Sequence, residues 1–349
     1  MAKKKRKKRG HYSGIGGQAV LEGIMMKNGD KYSVAVRKPN GEIEVELDTY
    51  HGILEGNKIK ELPFIRGVFN FLDSLILGTR SLNFSATFYE DEEEQKEVKD
   101  PAKKARQDKA IATLTTVFAV VLALALFMAL PYYASVWLGN YVRNDSLMAI
   151  LEGIIRIVIF VLYVAGISLM PDIKRVYQYH GAEHKCINCI ERGHILNVEN
   201  VRKSSKQHKR CGTSFLLFVM LVSVILFFFI RVESPVWRLL LRLLLIPVIA
   251  GISYELIRLA GRSNNILVRI ISAPGLWLQR LTTREPDDQM IEVAIKAVEA
   301  VFDWKQFLRD DFNYKFPEDL TQEVFARAFA SLDRYREYGK VKNYLYTIA

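Results

Sequence analysis

Residues 111–130 read IATLTTVFAVVLALALFMAL, twenty positions without a single Asp, Glu, Lys or Arg. At about 1.5 Å per residue, a helix of that length crosses the roughly 30 Å of hydrocarbon in a bilayer. The stretch predicts a mainly α fold, a polytopic helical membrane protein, and three further apolar runs extend the pattern. Residues 147–170 carry Glu152 and Arg156 among aliphatic side chains, and residues 213–230 carry no charge. Residues 236–257 carry Arg238 and Arg242 near one end and Glu255 near the other. Four transmembrane helices are therefore expected.

Orientation follows from the basic residues between these runs. Twenty-one Lys and Arg precede residue 111, nine lie in 171–212 and fourteen follow from Arg258, whereas the connections holding Arg143 and Arg231 have one each. By the positive-inside rule both termini and the long loop 171–212 are cytoplasmic, in a multi-pass protein of the cytoplasmic membrane. The run from Lys3 to Arg9 is not followed by an apolar segment, so it does not read as a signal peptide.

The whole chain has 349 residues, half of them hydrophobic and a quarter charged, with a net charge of +11. Three cysteines cannot form a disulfide framework in a chain of this size, and collagen, mucin, coiled-coil and small secreted classes are excluded. The sequence divides into a basic tail (1–12), a Gly-rich and hairpin region with an amphipathic helix (13–89) and a charged linker (90–110). The membrane domain (111–257), cytoplasmic amphipathic helices (258–301) and a tail (302–349) follow. The tail from Lys3 to Arg9 suits anionic lipid headgroups or the ribosome, and the lipid bilayer is the expected main partner. No specific DNA binding is expected.

Within 13–89, residues 32–38 and 42–47 alternate apolar and polar around Pro39-Asn40-Gly41, a small β-hairpin whose turn needs positive φ. Arg66, Asn70, Asp73 and Arg80 recur among Phe, Leu and Ile at helical steps. That helix should lie on the membrane or against the bundle. Residues 13–26, SGIGGQAVLEGIMM, place four glycines in eleven positions. No Lys-Ser/Thr follows as in a phosphate-binding loop, so the segment reads as a turn packed against the bundle.

The middle loop holds the residues with chemistry. It reads His180-Gly-Ala-Glu183-His184-Lys-Cys186-Ile-Asn-Cys189, and ends in His208-Lys-Arg-Cys211. On a helix His180 and His184 share a face one turn apart, close enough for both imidazoles to reach one divalent metal, with zinc the natural choice. His208 and Cys211 would supply the remaining ligands. His-x-x-Glu-His is also the inverted zincin pattern, with Glu183 as general base toward a water. Four protein ligands would make a closed structural site, and three would leave a position open for catalysis. A polar loop with incidental histidines is the third reading. Cys186 and Cys189 form a weaker pair. Asp287, Asp288 and Glu292 either start a helix or reach the histidines, and Glu152 with Arg156 can pair inside the second run.

GGQAVLEGIMM (16–26), LPFIRG (62–67), YHGAEHK (179–185), RCGTSF (210–215) and LTTREPDD (281–288) together resemble the YqhQ-like family. This is a domain-of-unknown-function family of bacterial membrane proteins regarded as predicted metal-dependent enzymes. The resemblance covers about residues 10–301 and places His180, Glu183, His184, His208 and Cys211 on the family's polar motifs. Residues 318–349 resemble part of the region 2 helices of bacterial sigma factors. Two functions are therefore expected as alternatives: a zinc-dependent hydrolase with a cytoplasmic His/Glu/Cys site, or a non-enzymatic membrane-protein assembly or ribosome-associated factor whose metal is structural.

Overall fold

The computed structural model describes residues 11–89, 101–142, 144–230, 232, 234–262 and 265–330. The basic run from Lys3 to Arg9, the first half of the charged linker and the end of the sigma-like tail lie outside the described residues. The chain is mainly helical, with one four-stranded antiparallel sheet near its start.

That sheet is larger than the expected hairpin. Strands β1 (Gly16–Val20), β2 (Gly23–Asn28), β3 (Lys31–Arg37) and β4 (Ile43–Thr49) pair in chain order. The β3–β4 connection is the expected one, with Gly41 at φ +88° and Asn40 Oδ1 accepting from the Glu42 N–H at 3.0 Å. The Gly-rich segment, expected as a packed turn, instead forms β1 and β2. Its alternation is hidden because both faces of the sheet are covered, so that consecutive residues of β2 and β3 are buried.

Ile24, Met26 and Ala35 face helices α5 (Pro171–Glu191) and α11 (Asp288–Val301) in one core with Tyr179, Ile187, Ile291 and Val298. Val20, Met25, Tyr32, Val34 and Val36 face the other way, onto Leu77 of helix α1 (Ile65–Ala86). The buried Ser33 hydroxyl donates to the Ala297 carbonyl at 2.7 Å, which ties the sheet to α11. Half of the loop 171–212 is thus the helix α5, started by Pro171 at its first position where a missing N–H costs nothing.

The apolar runs form helices. Helix α2 (Pro101–Leu124) passes through a π-helical turn at Ala125–Ala129 into α3 (Leu130–Leu138), and α4 (Asp145–Ile167) follows, capped by Asn144. The stretch Thr113–Leu138 and the stretch Ser146–Ile167 are each long and apolar enough to cross a membrane. The other two runs differ from uniform spans. After the short helix α6 (Val198–Lys203), the third run is the 17-residue helix α7 (Gly212–Phe228). The fourth is broken by 41° between α8 (Pro235–Leu244) and α9 (Ile246–Arg262). Helix α10 (Ile266–Thr282) then packs on α7, with Gly275 against Ser214. The sequence placed it among cytoplasmic amphipathic helices; its Val268, Ser272, Leu278 and Gln279 are buried in the helical layer. The described chain ends in α12 (Trp304–Phe312) and α13 (Pro317–Ala330).

Between these apolar helices lies a buried ion-pair group. Glu152 Oε1 accepts from Arg156 Nη2 at 2.8 Å and from Arg242 Nη1 at 2.6 Å, and its Oε2 accepts from Arg242 Nη2 at 2.9 Å. Of the two cationic partners open to Glu152 on α8, the chain uses Arg242, while Arg238 turns to the Val232 carbonyl.

Candidate metal centre

Three side chains of α5 share one face because they sit at i, i+3 and i+4: His180, Glu183 and His184. The imidazole rings of His180 and His184 lie 4.4 Å apart, centroid to centroid. Each ring is fixed by a backbone carbonyl on its Nδ1 side, Thr282 O at 2.8 Å from His180 and Lys206 O at 2.7 Å from His184. A carbonyl only accepts, so each Nδ1 carries the proton and each Nε2 points into the site. Orientation of ligand histidines by such outer contacts is the usual construction of a metal site.

Cys211 completes the group. Its Sγ lies 3.1 Å from His180 Nε2, and one donor atom each from His180, His184 and Cys211 fall within 4.8 Å of one another. Cys211 also caps α7, accepting from the Thr213 N–H at 3.4 Å. Burial resists ionisation of the thiol, but His180, by charge and hydrogen bonding, and His184, by charge, pull it well below its usual range. Burial likewise opposes charge on His180, yet the adjacent Cys211, with Glu183 and the Thr282 carbonyl, raises it to about 9. Without a cation, the two form an imidazolium–thiolate pair, and a bound cation would displace that proton.

Two atoms in this cluster have no hydrogen-bond partner although both are buried: His184 Nε2 and Glu183 Oε2. Burial, first of all, lifts the Glu183 carboxyl above its ordinary range, against the pull of His184 and His180. Orphaned buried polar atoms are costly, and here both belong to residue types that complete a zinc centre. The donor set of two imidazoles, a thiolate and a neighbouring carboxylate fits a divalent metal.

His208 takes a different place. Its ring stands 5.7 Å from that of His184, and its Nε2 faces Glu191 Oε2 at 3.6 Å. The convergent set among the described residues therefore holds three of the four ligands expected from sequence. Burial, first of all, lowers His208 below its ordinary value, against the pull of Glu191. Glu191 also accepts from Ser13 and Arg210; burial opposes this charge, but His208, Arg210 and the Ser13 N–H hold the carboxyl down to about 2. Cys186 and Cys189 are packed into the sheet core, where burial pushes both thiols up. Asp287 caps α11, Asp288 pairs with Arg202, and Glu292 pairs with Arg37, so none of the three acids enters the cluster.

Sequence reading missed the residues that hold the site in place. Gly181 is required because a Cβ there would overlap the Arg284 carbonyl, and this close approach carries Thr282 to His180. A Cβ on Gly17 would lie 2.6 Å from Met25 O and 3.1 Å from Glu183 Cγ, so β1 runs directly over the carboxylate. Asn188 donates to the carbonyls of Ser205 and Gln207, at 2.6 and 2.9 Å. Gln279 brackets the His208 backbone from both sides, at 2.9 and 2.7 Å. The glycines inside YHGAEHK and GGQAV were the available signal.

Residues 62–304 match the sequence profile described as Protein of unknown function (DUF1385), and residues 313–349 match Sigma-70 region 2. The uncharacterized protein YqhQ of Bacillus subtilis (strain 168) is 35% identical over 288 residues, which cover 81% of this chain and 90% of that protein. No solved structure matches.

Proposed function

The chain belongs to the family described as Protein of unknown function (DUF1385), and we propose that it is an integral membrane protein with a zinc-dependent hydrolytic site on its cytoplasmic side. Four apolar segments, both termini and α5 in the cytoplasm, form the topology of this reading, which rests on apolar length and the distribution of Lys and Arg. One observation carries the site: donors of His180, His184 and Cys211 converge, and both His184 Nε2 and an oxygen of Glu183 on the same helix are buried without partners.

Three protein ligands with a carboxylate beside them suit an open site rather than a closed one. His180, His184 and Cys211 would hold the metal, whose contribution is Lewis acidity toward a water or a polarised carbonyl or phosphoryl oxygen. Glu183 holds a proton poorly in water but well in this buried setting, which matches a group that takes a proton from the attacking water and returns it to the leaving group. The Thr282 and Lys206 carbonyls keep both imidazoles aimed inward throughout. Gly17 keeps β1 close over Glu183 and limits solvent there.

A second reading has its own observation. The donors join α5 to the start of α7, so a metal there would staple two elements as a structural site in an assembly or ribosome-associated factor. Cobalt-substituted protein titrated with azide separates the two. A shift in the cobalt absorption bands on azide addition supports the open hydrolytic site, and unchanged bands in a cobalt-loaded protein support the structural one.

A further inference from the structure

Helix α1 is built inside out for a protein in water. The side it turns to the protein carries Gly67, Asp73, Gly78, Ser81 and Ser85, all buried, with Leu77 as its one fully buried large apolar side chain. The side it turns outward carries Leu72, Leu75, Ile76 and Leu82, with Leu75 51% and Ile76 49% exposed, interspersed with exposed Ser74, Thr79, Arg80 and Asn83. Just ahead of the helix, Ile59, Leu62 and Phe64 are about half exposed as well. A water-facing helix reverses this distribution.

Its charges are all paired within the protein, although Arg80 and its partner Asp48 are exposed. Arg66 grips Glu255 of α9 with two hydrogen bonds, at 2.6 and 2.5 Å. Asp73 accepts from Lys60 Nζ at 2.8 Å, from the Ile53 N–H at 2.8 Å and from the Tyr50 hydroxyl at 3.1 Å. Arg80 pairs with Asp48 at 2.8 Å. No other charged residue occurs in α1, so none projects unpaired onto the outer face.

The helix also belongs to the apolar layer. A Cβ on Gly67 would lie 2.7 Å from Tyr254 Cβ, and one on Gly251 would lie 2.6 Å from Phe64 O, so α1 crosses α9 with backbones nearly touching. Small residues at a crossing and apolar ones outside are the packing habit of helices in lipid. Phe71 stacks 5.3 Å from Phe215 of the uncharged helix α7. The exposed apolar face of α1 thus continues the exposed apolar surface of the helices already read as spans.

We infer that α1, with the lead-in residues Ile59, Leu62 and Phe64, is immersed in the cytoplasmic leaflet of the bilayer, with its outer face against lipid acyl chains. This inference rests on the membrane reading above and adds an element that the four apolar segments do not include. An in-plane helix of this kind binds through buried apolar area. It would also hold the sheet, and with it the metal centre, at the membrane surface.

The test is fluorescence quenching on the full-length protein in vesicles of phosphatidylethanolamine and phosphatidylglycerol. Leu72→Cys, Ile76→Cys and Leu82→Cys are labelled with an environment-sensitive dye and corrected for labelling of the unsubstituted protein. Val45→Cys on β4 reports water, and Leu122→Cys on α2 reports a span. Labels on α1 should lose about half their emission to spin-labelled lipid and about a tenth or less to aqueous iodide. Iodide quenching of α1 labels as strong as at position 45 overturns the inference, and so does shielding from both quenchers, which would mean a protein partner covers the face. If position 122 is also quenched by iodide, the membrane reading itself fails; if it remains lipid-quenched, only the placement of α1 does.

Discussion

Two glutamates are buried to nearly the same depth, Glu152 at 7% exposure and Glu183 at 5%, and they live in opposite circumstances. Glu152 is saturated: both oxygens accept from Arg156 or Arg242, and Ser135 Oγ stands 3.4 Å from Oε2. The two guanidiniums are themselves braced on Phe227, 4.8 and 5.0 Å from its ring centre. Glu183 keeps one oxygen without a partner, and so does the Nε2 of His184, one residue on along the same helix. The Glu152 carboxylate is filled on both oxygens, although Arg156 Nε and Arg242 Nε beside it lack partners, whereas at the metal centre the unfilled atoms are themselves acceptors of the types that ligate or take a proton. Burial of a charge alone does not separate the two. The partner count does.

The comparison breaks most visibly at Glu152. Glu152→Ala would leave Arg156 and Arg242 buried side by side without an anion, a loss of about 3 to 5 kcal/mol or failure to accumulate. Thermal unfolding in detergent measures it. Glu183→Gln should change the same unfolding temperature little, because a buried unpaired carboxylate is itself unfavourable. Equal destabilisation by the two substitutions would erase the distinction.

Next in size is Glu191, whose carboxyl lies at about 2 through His208, Arg210 and Ser13. A depressed carboxyl stabilises the fold fully above its unfolded value near 4.5, and the contribution disappears as pH falls toward 2. Glu191→Gln should therefore cost about 2 to 3 kcal/mol at neutral pH, with the gap from the parent protein closing between about pH 4.5 and 2. Chemical unfolding across that range checks it, and a pH-independent gap would contradict it.

Smaller again is the cap on α11. Asp287 accepts from the Met290 N–H at 2.8 Å, and Asp287→Ala should cost about 1 kcal/mol without altering bound metal. Loss of metal in that variant would return the acid to the site from which its geometry removes it.

The contrast also explains what could be read in advance. Apolar runs are long and uniform, so the helices around residues 111–130 and 147–170 were legible from composition alone. The face shared by His180, Glu183 and His184 was legible because three side chains of one helix need only the 3.6-residue period. Cys211 was legible as a metal-binding type close to the histidines, and His208 was expected there for the same reason. His208 shows the limit: spacing brought it near, but its Nε2 faces Glu191, which is half-buried and already bound to Arg210 and Ser13. The sheet was half hidden because the Gly-rich segment of β1 and β2 lacks the apolar–polar alternation in sequence that revealed β3 and β4, and β2 is buried along most of its length. Backbone supports such as Thr282 O and Lys206 O carry no side-chain signature. Only the glycines at 17 and 181 mark where the backbone comes close.

The central claim is that His180, His184 and Cys211 hold one metal with a position to spare. Elemental analysis and X-ray absorption on the purified full-length protein test it together. The account predicts about one zinc or equivalent divalent metal per chain, one sulfur and two imidazoles among its neighbours with at least one further light atom. It also predicts loss of that metal in His184→Ala and Cys211→Ser and its retention in Glu183→Gln. A protein free of metal after purification and zinc dialysis, or metal retained in both ligand variants, would contradict it.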